Sequence, residues 1–172
     1  LALLEAGASR AVDVDASREY LAAAREEAHR RGLDQRVDYR YGDVVELKDE
    51  LPQADIVVLD SVICCYPYLP ALLNAAIERR PRLIALTYPR DTWWMRTFMR
   101  VYNATHALAR SPARYFIHRH PVVRGLLAEA GYAEIYNGGL PVWRVAVYRR
   151  VEQTSSDTIR GRPLKPAAER QR

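Results

Sequence analysis

The sequence holds only two cysteines, and they are neighbours, Cys64 and Cys65. An adjacent pair rarely closes a structural disulfide, and two thiols do not complete a zinc site. They read as two small buried side chains in a reducing compartment, which points to a cytoplasmic location. Long apolar runs are also missing. None approaches the roughly 20 residues of a membrane-spanning helix, so no membrane span is expected. The opening stretch from Leu1 to Ala8 carries Glu5 and has no basic flank, which sets aside a signal peptide. A starting methionine is absent too, so the chain reads as a piece of something longer. No internal repeat is present.

What is there suffices for one domain. The 172 residues are 49% hydrophobic and 27% charged, enough for a single core. The net charge is +5, from 26 Lys and Arg against 21 Asp and Glu. The arginines are scattered and part of the excess lies beyond Val151, so charge does not single out nucleic acid as a partner. From Val151 the composition turns to Gln, Thr, Ser, Pro, Arg and Lys, which bury little surface. Residues 151–172 are therefore expected to form a disordered basic tail behind a domain of residues 1–150.

Within that domain, strand and helix signals alternate. Ala11–Asp15 reads as a strand ending in acid. Ser17 can cap a helix from Arg18 to Arg31, with Gly32 as its stop. Val37–Tyr41 is a second strand, closed by Gly42. The apolar run Ala54–Asp60 suits a parallel strand buried on both faces. A helix over Pro67–Arg80 and a strand over Arg82–Tyr88 follow. Asp91–Arg110 is a longer helix with one stripe of Trp94, Phe98, Val101, Thr105 and Leu108, and an opposite stripe of Arg96, Arg100, Asn103 and Arg110. After a linker at Ser111-Pro112 come a helix over Pro121–Ala130 and two strands, Ala133–Asn137 and Trp143–Arg149. The last strand alternates as an antiparallel strand nearer an edge would. The expected fold class is α/β, a doubly wound, mostly parallel sheet with a C-terminal antiparallel hairpin.

Ligands of such sheets bind at the carboxyl ends of the strands. The first strand ends at Asp15, which can accept from both hydroxyls of a ribose, or simply cap the next helix. The second ends at Gly42-Asp43-Val44, which lets backbone approach a flat ring, or makes an ordinary turn. The third ends at Asp60-Ser61, followed by Cys64 and Cys65. These short polar residues suit a pocket, or a loop filled from the core.

The layout is an acid after one strand, Gly-Asp about 28 positions on, and an acid ending a third strand about 17 positions later. It resembles the class I, Rossmann-like methyltransferases that use S-adenosylmethionine. The resemblance covers residues 1–150 and implies a seven-stranded sheet with a final antiparallel hairpin. It implies S-adenosylmethionine as cofactor, with Asp15 and Ala16 at the ribose. Gly42, Asp43 and the Val44 amide would stand at the adenine, with Asp60 and Ser61 at the methionine end. It also implies that the family's first strand and glycine-rich loop are missing from this chain, since they should precede Leu1.

Methyl transfer needs an oriented acceptor more than a conspicuous catalytic group. The third strand is not followed by the Asn/Asp-Pro-Pro-Tyr run of base amino-methyltransferases or the Pro-Cys dipeptide of cytosine-C5 enzymes. No acidic group suggests a metal-dependent site, so no metal is expected. The segment from Thr87 to His120 is rich in aromatic and Met residues, as suits a flat or apolar small-molecule acceptor, although such residues also pack helices on sheets. Tyr88, Arg90, Trp94 and Tyr102 are its candidate acceptor residues. His106 is the first candidate base, one turn beyond Tyr102, and His118 the second. The expected activity is methyl transfer to a small molecule, with oxygen as one acceptor atom. Two other readings stay open: a NAD-dependent Rossmann oxidoreductase, and a non-catalytic or inactive S-adenosylmethionine-binding fragment. The oligomeric state is not legible.

Overall fold

The computed structural model describes residues 1–111 and 114–151. A short helix α1 (Ala2–Glu5) leads into strand β1 (Ala11–Asp15), helix α2 (Arg18–Arg30) and strand β2 (Val37–Tyr41). Strand β3 (Ile56–Asp60), helix α3 (Leu69–Glu78) and strand β4 (Leu83–Pro89) follow. Then come helices α4 (Trp93–Leu108) and α5 (His120–Glu129), and strands β5 (Tyr132–Gly139) and β6 (Trp143–Arg150). The strand and helix alternation read from the sequence is the one observed.

The caps explain several boundaries. Ser17 Oγ accepts from Tyr20 N at 3.2 Å and starts α2. Gly32, at φ +68°, ends it: Leu33 N donates back to Ala28 O and Gly32 N to His29 O. β3 begins two residues later than its apolar run, because Asp55 O instead accepts from Arg82 N and Leu83 N. α3 begins at Leu69 rather than Pro67, because Ile63–Cys65 form a separate 3-10 turn after β3.

The strands form two sheets, β1–β2 and β3–β4–β6–β5. β1 pairs in parallel with β2, and β3 with β4. β6 runs antiparallel to both of its neighbours, so it alone is reversed in the larger sheet. No described strand joins β1 to β3, the place where the resemblance puts the family's first strand. β5 is the outer strand of the hairpin, and β6 lies one place inside it. The main core is built from Leu59, Ile84, Leu86, Ala146 and Tyr148 of the larger sheet, packed with Leu72 and Leu73 of α3 and Val123 and Leu127 of α5. Of the tail expected from Val151, only Val151 lies within the described residues. No helix among them is long and apolar enough to cross a membrane.

One expectation is reversed. The stripe of Trp94, Phe98, Val101, Thr105 and Leu108 on α4 faces solvent, and Leu108 is 88% exposed. The inner face is Met95, which is buried, with Met99, Tyr102, Asn103 and His106 partly covered. The spacing of these residues is also helical. A polar anchor decides between the two faces. Asn103 Nδ2 donates to Tyr115 O at 2.8 Å, and its Oδ1 accepts from Tyr115 N at 2.9 Å. This pair satisfies both backbone groups of Tyr115, so the face bearing Asn103 turns inward.

The terminal hairpin depends on Gly139, at φ +111°, where an added Cβ would sit 2.4 Å from the Trp143 carbonyl oxygen. Gly139→Ala should therefore destabilise the protein by roughly 1–3 kcal/mol, the range for strained backbone. A lowered thermal midpoint in circular dichroism is the expected readout, and an unchanged one would contradict it.

Candidate functional site

The carboxyl ends of β1, β2 and β3 carry the predicted cofactor residues. Gly42 N donates to Asp15 O at 3.1 Å and ties the first two ends together. Asp15 Oδ1 accepts from Ser17 N at 2.7 Å, so this oxygen does orient the start of α2. Its Oδ2 accepts from none of the described residues and is left for another donor. The helix-start reading of Asp15 is thus met by one of its two oxygens. Ala16 lies exposed beside it. Gly42 has φ +148°, which few side chains tolerate. Asp43 Oδ1 accepts from Val45 N at 2.8 Å, and its Oδ2 from the Tyr66 hydroxyl at 3.1 Å. The Val44 amide donates to no described residue.

β3 ends in strained backbone. Ser61 stands at φ +59°, a left-handed conformation that is costly for a residue with a Cβ. Its amide donates to Thr87 O at 3.1 Å, and its hydroxyl reaches Asp60 Oδ1 at 3.4 Å. Its carbonyl accepts from the Cys64 thiol at 3.1 Å. Asp60 and Ser61 are both exposed at the strand end.

The predicted acceptor residues divide into two groups. Tyr102 and His106 pack with tilted rings, centroids 4.4 Å apart, and Tyr115 meets Tyr102 edge-on at 5.1 Å. Phe116 N donates to Cys64 O at 2.7 Å, which brings this cluster to the loop after β3. His118 is anchored to the same loop: its Nε2 lies 2.9 Å from Tyr66 O. A carbonyl only accepts, so Nε2 carries the proton and Nδ1 keeps its lone pair. Tyr66 thereby joins the cofactor ends, through Asp43, to His118. Trp94 lies on the outer face of α4.

The second group lies past the end of β4. Tyr88 is buried, and its hydroxyl lies 2.7 Å from His120 Nδ1. His120 Nε2 lies 3.2 Å from Glu134 Oε1 and 3.0 Å from Asn137 Nδ2. Burial, then the nearby Arg144 guanidinium, hold the His120 pKa below its ordinary value. Arg90 donates to Leu140 O at 2.9 Å and Gly138 O at 3.3 Å, and so holds the terminal hairpin. His120, Glu134, Asn137 and Arg144 were not singled out in the sequence as site residues. The only signal was their place near strand ends and helix starts. Among the described residues no group of three or more metal-ligating side chains occurs.

Cys64 and Cys65 sit between the two groups, with their sulfurs 3.7 Å apart. Cys64 is buried and Cys65 exposed. When Cys65 ionises, the Cys64 thiol can turn from Ser61 O to the Cys65 sulfur, and this contact lowers the Cys65 pKa to about 7, while the same contact and burial raise that of Cys64. Iodoacetamide at pH 7.5 should therefore alkylate Cys65 first, and peptide mass spectrometry should find Cys64 largely unmodified at that stage. Equal labelling of both would contradict this ordering.

Residues 1–79 match the methyltransferase domain family. No curated protein matches the sequence. Among solved structures, the chain is similar to magnesium protoporphyrin IX methyltransferase from Synechocystis PCC 6803 with bound SAH, at 18% identity and a TM-score of 0.68. That match covers 87% of this chain and 67% of the other. A S-adenosylmethionine-dependent methyltransferase from Mesorhizobium loti aligns at 16% identity and a TM-score of 0.64, over 86% of this chain and 83% of that one. An O-methyltransferase family 2 protein from Planctomyces limnophilus, in complex with apigenin, aligns at 21% identity and a TM-score of 0.60. There the match covers 83% of this chain but only 43% of the other. Residues 1–79 thus match a methyltransferase domain, and the fold is that of the solved S-adenosylmethionine-dependent methyltransferases.

Proposed function

We propose that this protein transfers a methyl group from S-adenosylmethionine to the oxygen of a small-molecule acceptor. The observation that carries the reading is the set of acids at the carboxyl ends of β1, β2 and β3, within the matched residues 1–79. Solved relatives hold SAM or SAH, and one is a complex with apigenin, which supports both the cofactor and a small acceptor.

The residues present fit the adenosine half of that cofactor. The uncommitted Oδ2 of Asp15, with Ala16 beside it, would take the ribose hydroxyls. The unbonded Val44 amide and Asp43 would meet the adenine, with Gly42 allowing close approach. Asp60 and Ser61 would border the methionine end. When bound, the cofactor supplies an electrophilic methyl on a sulfonium. The chain's own task is to orient the acceptor oxygen in line with that methyl, and orientation can lower a barrier by about 7–11 kcal/mol. Tyr102 and the ring cluster around it would contact the acceptor, with Tyr88 and Arg90 in the second group past β4; Trp94, on the outer face of α4, would not. A hydroxyl acceptor must lose its proton. His118 suits that role better than His106, because the Tyr66 carbonyl holds its proton on Nε2 and leaves Nδ1 basic.

Calorimetric titration with S-adenosylmethionine tests the cofactor. Asp15→Ala should weaken binding roughly 10- to 150-fold, the loss of a charge-assisted hydrogen bond of about 1.5–3 kcal/mol. Binding of NAD in place of S-adenosylmethionine would overturn the reading in favour of an oxidoreductase. Binding with no turnover of any acceptor would favour a non-catalytic protein. For a hydroxyl acceptor, His118→Ala should lower turnover about 100- to 10,000-fold with cofactor affinity unchanged. Undiminished turnover would remove His118 as the base.

A further inference from the structure

A cleft of about 450 Å³ opens past the end of β4, lined by Arg90, Arg96, Arg119 and Arg144 with Asp91 and His120. Four guanidiniums face one carboxylate. Arg96 Nη2 donates to Asp91 Oδ2 at 2.7 Å. Arg119 lies 3.6 Å from the same carboxylate on a side chain that is 70% exposed, so it is free to turn towards a ligand. Arg90 is held in place by the two carbonyls of the hairpin. Arg144 Nη1 donates to Asn137 Oδ1, but its Nε is buried and has no hydrogen-bond partner among the described residues.

The helices reinforce the arginines. Thr92, the N-cap of the 16-residue α4, lines this cleft, as do His120 and Pro121 at the start of the 10-residue α5. The positive ends of two helix dipoles therefore converge there, and α5 has no side-chain cap. Arg96 also borders a second cleft of about 180 Å³, lined by Met99, Asn103, Tyr115 and Ile117. A ligand held by its charge in the first cleft could rest its apolar body in the second, beside the ring cluster.

We propose that the methyl acceptor is an organic acid whose carboxylate docks in this arginine cleft. The word acceptor rests on the methyltransferase reading; the anion site itself does not. A planar carboxylate matches the guanidinium fork, and its single charge is repelled less by Asp91 than the double charge of a phosphate. A phosphate-bearing ligand shares the underlying chemistry, so the test separates the two.

The full chain is titrated with benzoate and, separately, with inorganic phosphate, and followed by calorimetry and thermal unfolding. Benzoate should bind saturably and raise the thermal midpoint. Arg119→Gln and Arg144→Gln should each weaken benzoate at least tenfold, while Arg25→Gln, an exposed residue of α2 that does not line the cleft, should not. Arg119 makes only the long contact to Asp91, so its variant should fold even if the Arg144 variant does not. No benzoate binding, or binding indifferent to Arg119→Gln, overturns the proposal. Phosphate binding as tight as benzoate overturns the carboxylate assignment. S-adenosylmethionine is titrated in parallel: loss of its binding with benzoate binding intact sinks the methyltransferase reading alone, and the converse sinks the cleft alone.

Discussion

β4 is the strand on which the rest depends. It has a parallel neighbour, β3, on one side and an antiparallel one, β6, on the other. Its residues Ile84, Leu86 and Tyr88 are almost wholly buried. A strand paired on both edges with one face buried has little freedom to slip, because a one-residue shift would turn these side chains to its less covered face. Its register therefore sets the height of both neighbours. Asp60 is held opposite Thr87, and Arg144 opposite Tyr88. The Asp60 end of β3 and the arginine cleft at β6 are positioned by the same ladder.

The loop after β3 carries that order across to the helices. The left-handed Ser61 turns the chain sharply, and its carbonyl gathers the Cys64 thiol. Tyr66 then reaches in two directions, with its hydroxyl to Asp43 and its carbonyl to His118. Partial burial and the Asp43 carboxylate both keep the Tyr66 phenol protonated, so it stays a donor throughout the physiological range. One residue that composition gave no reason to notice thus connects the two halves of the site. Strain at Ser61 is the sort of feature that persists only where surrounding bonds over-determine it, and it does so here through Thr87 O.

Much of this was legible in the sequence because it is local. Alternating apolar runs gave β1 to β4, Ser17 and Gly32 bounded α2, and acids at strand ends marked Asp15, Asp43 and Asp60. What was not legible is set by long-range pairing. α4 has two helical stripes of mixed character, and hydrophobicity alone favoured the one with Trp94 and Phe98. The inward face was chosen instead by Asn103, whose amide satisfies a backbone 12 residues away. His120 looked like one more histidine of an aromatic segment. Only the fold brings it against Tyr88, Glu134 and Arg144, which come from three different strands. The split of the candidate acceptor residues into two groups has the same origin.

The charges are sorted along the sheet in a way that suits the proposed chemistry. Carboxylates stand at the ends of β1, β2 and β3, and guanidiniums gather past β4 and β6. A sulfonium cofactor is cationic and an acid acceptor anionic, so each would meet the opposite sign. Transfer of the methyl converts the sulfonium to a neutral sulfide, and a negative oxygen to a neutral ether or ester. Product formation thus removes charge at the reacting atoms, while the fixed acids and arginines remain. In a partly dry site, such fixed charges act more strongly than in water. An anchor charge that does not react would hold the acceptor before and after the step alike, lowering the concentration needed for binding without itself speeding the chemistry. Under that proposal the rate would come from the base and from alignment of the two ends, and Tyr66, which bonds both Asp43 and His118, is the residue that would couple them.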